Sequence, residues 1–107
     1  MAKPWRTEIE LLQTYRRHKT FTHTTTTDNA EDAVLVGGAM EEGNKICFIV
    51  DLNDAYVEFD ESATSTSMLI PAGTGYSDDN LYIADKISIK NATAGQNTRI
   101  RGIVWGR

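Results

Sequence analysis

Past the first twenty residues, short apolar runs alternate with polar breaks along the whole chain. Lys86-Ile87-Ser88-Ile89-Lys90 has a period of two, as a half-buried strand requires. In residues 98–105, Thr98, Ile100, Gly102 and Val104 fall on one face, and Arg99, Arg101, Ile103 and Trp105 on the other. Ala55, Val57 and Phe59 share a face in the same way. Ile46-Cys47-Phe48-Ile49-Val50 is continuously apolar and reads as a buried strand, with Cys47 a buried small hydrophobe. Residues 20–27 are rich in β-branched threonine. Residues 33–36, 67–70 and 81–83 are shorter strand candidates. Turn residues separate these runs: Asp28-Asn29, Gly37-Gly38, Glu41-Glu42-Gly43-Asn44, Asp51-Leu52-Asn53-Asp54, Pro71-Ala72-Gly73-Thr74-Gly75, Ser77-Asp78-Asp79-Asn80 and residues 91–97. The short links predict hairpins between 45–50 and 55–59, and between 86–90 and 98–105. Seven or eight short strands with a turn every 8–12 residues predict an all-β chain, an antiparallel β-sandwich of jelly-roll or Ig-like type. No helical pattern of 10–15 residues lies between the strands, which argues against an α/β fold.

The first twenty residues differ. Thr7-Glu8-Ile9-Glu10 fits a capping box, and Arg16-Arg17-His18-Lys19 suits the C-terminal end of a helix dipole. Ile9, Leu12 and Tyr15 follow helical spacing, with Leu11 widening the stripe. The pattern predicts a helix over 8–18 and a division into an N-terminal arm, 1–19, and a sandwich body, 20–107. So short a helix needs a surface to dock on. Trp5, Ile9, Leu12, Tyr15, Arg16 and Arg17 are therefore the expected interface residues of the arm. Trp105 and Arg107 are their counterparts at the C-terminus, since these residue types are enriched at interfaces.

Charge follows the same division. Residues 1–20 carry five Lys/Arg and two Asp/Glu, a net +3; the other 87 residues carry six and thirteen, a net −7. An acidic body and a small basic arm argue against nucleic-acid binding. The 107 residues suffice for one domain with one core. The longest apolar run is far short of a membrane span of about 20 residues, so no membrane association is expected. The opening Met-Ala-Lys-Pro-Trp has no signal-peptide pattern. A single cysteine makes neither an intrachain disulfide nor a structural zinc site.

No catalytic signature emerges. Asp51, Asp54, Glu58, Asp60 and Glu61 form the densest acidic cluster. A calcium loop there is broken by Ala55 and Tyr56, so a turn and a solvated strand edge explain it better. Asp78, Asp79 and Asn80 fit turn capping as well as cation binding. His18 and His23 neighbour no nucleophile motif and are expected at the surface. The two glycines of Pro71-Ala72-Gly73-Thr74-Gly75 lack the lysine and helix of a phosphate loop. Asn91-Ala92-Thr93 matches the glycosylation pattern by chance in a chain with no secretory signal. We therefore expect no catalytic residues, no metal and no cofactor.

A texture shared by residues 63–76, including Leu69-Ile70-Pro71-Ala72-Gly73, and the final run Arg99-Ile100-Arg101-Gly102-Ile103-Val104-Trp105-Gly106 resembles small β-sandwich virion proteins of tailed bacteriophages. These are head-decoration (cement) and neck or tail accessory subunits. The resemblance covers about residues 55–107 and includes no diagnostic motif. It implies a non-enzymatic homo-oligomer, often trimeric, whose terminal arms clasp neighbouring capsid proteins, in a virion assembled in the host cytoplasm. A receptor- or carbohydrate-binding module, with Tyr56, Tyr76 and Tyr82 lining a site, would look much the same.

Overall fold

The computed structural model describes residues 17–107. They form eight strands: β1 (Arg17–Thr24), β2 (Glu31–Leu35), β3 (Gly43–Asp51), β4 (Ala55–Phe59), β5 (Met68–Ile70), β6 (Thr74–Asp78), β7 (Lys86–Asn91) and β8 (Arg99–Gly106). Two four-stranded antiparallel sheets result. Sheet A has the order β1-β8-β3-β6 and sheet B the order β2-β7-β4-β5. Strand one thus pairs with eight, two with seven, three with six and four with five. This nested pairing is folded over so that β8 also meets β3 and β7 meets β4, as in a β-sandwich.

Alternation builds the core. Phe21, Ile46, Phe48, Val50, Ile100 and Val104 point inward from sheet A. They meet Val34, Ala55, Val57, Ile70, Ile87 and Ile89 of sheet B. Val36, Met40 and Ile83 close one end from the connections. Each fully buried Val, Ile or Phe side chain contributes about 1.5–3 kcal/mol of transfer free energy. On the β5–β6 side, Tyr76 bridges the layers with ring centroids 5.8 Å from Phe48 and 6.3 Å from Phe59.

The other end is plugged by polar groups. Thr25 donates to the Asn91 side chain (2.5 Å), and the Asn91 amide donates to Thr27 O, Asp28 and Asn97. Thr98 donates to the carbonyls of Asp51 and Asn53. Asn91 is 2% exposed, so the asparagine of the glycosylation pattern lies inside the fold.

Several expectations are corrected. Arg17 and His18, assigned to the end of a helix over 8–18, open β1 and pair with Gly106 and Trp105. The body therefore begins by residue 17, not 20. The rest of that helix lies outside the described residues, among which there is no helix. Neither expected hairpin forms: β3 and β7 lie in different sheets from β4 and β8. The chain leaves β3 through Leu52, whose φ of 75° turns it toward the other sheet. Thr74 and Gly75, read as part of a turn, start β6 instead, and residues 81–83 make only one bridge, Gly43 to Ile83.

Candidate interaction surface

The two outer faces of the sandwich are unlike each other. That of sheet B is partly covered. The β4–β5 connection crosses it, Ala63 N donates to Ser88 Oγ at 3.0 Å, and both residues are buried. Asp60, at the start of that connection, accepts from the amides of Ala84 (2.9 Å), Asp85 (2.7 Å) and Lys86 (3.2 Å). Burial pushes the Asp60 carboxyl up, but the three amides outweigh it and hold the group below its usual range.

Nothing among the described residues covers the outer face of sheet A. Alternation turns Lys45, Cys47, Ile49 and Asp51 of β3 outward, beside Trp105, Ile103, Arg101 and Arg99 of β8. Thr20, Thr22 and Thr24 of β1 flank them on one side, with Gly75 and Ser77 of β6 on the other. The centre is apolar, formed by Ile49 (48% exposed), Ile103 and Cys47. Gly75 and Ser77 leave it low and flat on the β6 side. At one end Asp51 accepts from Arg99 Nε and from Arg101, at 2.8 and 2.9 Å. Hydrogen bonding and charge from Arg99 hold the Asp51 carboxyl low and raise the guanidinium in turn. At the other end Lys45 Nζ lies 5.0 Å from the centre of the Trp105 ring. The face thus has an apolar middle and a basic border.

Three of the expected interface residues, Arg17, Trp105 and Arg107, are described, and they lie at the Arg17–Gly106 end of the β1–β8 ladder. Trp105 is on this face, half-buried under Lys45. Arg107 instead pairs with Glu42, its Nε 2.7 Å from the carboxylate. Arg17 is exposed at the start of β1. Trp5, Ile9, Leu12, Tyr15 and Arg16 lie outside the described residues. Cys47 is exposed rather than buried, because only Ile46, Phe48 and Val50 of its run face inward. Ile49 was missed for the same reason, because the two-residue period is hidden when every residue of a run is apolar. The alternation of the last strand places Ile103 with Arg99, Arg101 and Trp105 on one side of β8 but does not mark it as an interface residue.

The other candidates find separate uses. Asp54 accepts from Ala72 N (2.7 Å), and Asp78 from Asn80 N and the Tyr76 hydroxyl (2.9 and 2.8 Å). No three His, Cys, Asp or Glu among the described residues are placed to hold a metal ion. His23 bonds Glu31 at 2.8 Å, and His18 is exposed beside Trp105. Tyr56 faces outward from sheet B, Tyr76 packs between the sheets, and Tyr82 is exposed on the β6–β7 connection, so the three tyrosines line no common site. Comparison with protein-family models, curated proteins and solved structures finds no match to this chain.

Proposed function

We propose that this chain is a non-enzymatic structural subunit of a tailed-phage virion, a capsid decoration or cement protein, that docks on the shell through the outer face of sheet A. The observation that carries the reading is the contrast between the two outer faces: one capped by its own loop, the other open, flat and apolar at its centre. Burying Ile49, Ile103 and Cys47 would supply affinity at about 25 cal/mol per Å². The border of Lys45, Arg99 and Arg101 selects a shell surface with acidic residues around an apolar patch, and sets orientation and rate. The arm, through Trp5, Ile9 and Leu12, would then bind a neighbouring copy. The assignment to a virion rests on the sequence resemblance, and the strand order, read as a jelly roll, is compatible with it. The same face would serve a neck or tail subunit. A carbohydrate-binding role is disfavoured by the dispersal of the three tyrosines.

The test is co-sedimentation of the purified chain with empty shells of the phage that encodes it. The chain should pellet with the shells, and Ile49→Glu should leave it in the supernatant while preserving its circular dichroism. Trp5→Glu with Leu12→Glu should lower occupancy by reducing contacts between copies. A wild-type chain that stays in solution, or Ile49→Glu binding like wild type, sinks the reading.

A further inference from the structure

Of the four sheet edges, three carry devices that discourage strand addition. β2 has a bulge between Asp32 and Val34, β5 has only three residues followed by Pro71, and β6 has five with Gly75 inside. β1 has none of these. It is eight residues long and holds an unbroken register against β8 from Arg17 to Thr24, and its other side is unpaired among the described residues. Thr25 N donates to Thr98 O on the β8 side. By the alternation of an antiparallel ladder, the N–H and C=O groups of Thr24, Thr22, Thr20 and His18 then face the free side.

Between β1 and β2 the sandwich is open. A groove of about 480 Å³ runs along this edge, over Phe21, Ala33, Val34 and Ala39, with Lys19 and Leu35 at its rim. Charge is graded along it. Arg17 and Lys19 mark one end, whereas Glu31, bonded to His23, lies toward the other.

We propose that β1 pairs antiparallel with β1 of a second copy about a two-fold axis at Phe21, joining the two sheets A into one of eight strands. This register matches the outward-facing groups: Thr20 opposes the partner's Thr22, and His18 the partner's Thr24. It sets the two Phe21 residues opposite each other over the joined grooves. Lys19 comes to lie across from the partner's His23, and so beside the partner's Glu31. The basic end of each edge thus meets the acidic end of the other, the complementarity a self-paired antiparallel edge requires. Threonines opposed across the new ladder add favourable cross-strand pairs.

The inference is independent of shell binding, and either can fail alone. Sedimentation velocity of the full chain over a range of concentrations is the test. A monomer–dimer equilibrium is expected. Thr22→Pro removes a free-side N–H that bonds nothing among the described residues, so it should abolish the dimer with thermal unfolding of the monomer unchanged. Lys19→Glu, at an exposed site, should raise the dimer dissociation constant about tenfold or more. If Thr22→Pro does not fold, Lys19→Glu decides. A strictly monomeric wild type, or a dimer that tolerates the substitutions, overturns the proposal.

Discussion

Glu31 ties the first turn together: its carboxylate accepts from His23, from the amides of Thr26 and Thr27 and from the Thr27 hydroxyl. Burial pushes the group up, but these bonds win and place its pKa at about 2, against an ordinary 4.5. A depressed carboxyl pKa stabilises the fold above the unfolded-state value and loses that contribution as pH falls through the folded one. Here the window runs from about 4.5 down to about 2. Glu31→Gln should therefore lower stability near neutral pH by about 1–3 kcal/mol, since the turn amides lose a charged acceptor. The gap to wild type should close as pH falls through that window. Thermal unfolding of both chains across this range checks it; a gap that stays constant would refute the role given to ionised Glu31. Asp28, Asp51, Asp60 and Asp78 are also held below their ordinary value, so the wild type itself should lose stability further at the acid end.

β8 is the element on which sheet A depends, because it lies between β1 and β3. At its middle Gly102 sits between Phe21 and Phe48 in register. A Cβ there would come within 2.4 Å of Cys47 O and 2.6 Å of Phe48 Cβ. Gly102→Ala should cost about 1–3 kcal/mol or more through overpacking, seen as a lower urea midpoint with an unchanged slope. An unchanged midpoint would mean that the strands separate freely at this point. The need for glycine at 102 was not legible in the sequence, whereas β8 itself was, because its alternation is a local property of eight residues. The same holds for β4 and β7. What failed were inferences about partners. Residues 45–50 and 55–59 are separated by four residues, which suggested a hairpin, but Leu52 turns the chain into the other sheet. β6 was missed because Gly73 and Gly75 flank Thr74 and weaken the local strand preference, and the segment is held extended by β3 across the ladder. The candidate face failed to appear in the sequence for a related reason: it joins β3, β8, β1 and β6, which are far apart along the chain.

Nested pairing makes the whole molecule sensitive to its ends. β1 finds its partner in the last strand, and that long-range closure is entropically costly until both are present. A cut meant to remove the arm must therefore stop short of β1. A chain beginning at residue 21, one residue past the expected arm–body boundary, would lose the pairs from Arg17–Gly106 to Thr20–Ile103 and leave Phe21 at a free end. At about 1 kcal/mol for each lost hydrogen bond plus the cross-strand contacts, it should be less stable by roughly 2–4 kcal/mol, a fall in Tm on the order of 10 °C or more. A chain beginning at residue 17 keeps the entire β1–β8 ladder and should unfold cooperatively within a few degrees of the full chain. Calorimetry of the two truncations separates the contributions. If the chain from residue 17 unfolds as poorly as that from 21, then residues 1–16 are part of the folded unit rather than an arm upon it. If both match the full chain, the first half of β1 contributes nothing to stability, and its unpaired edge is free to serve association alone.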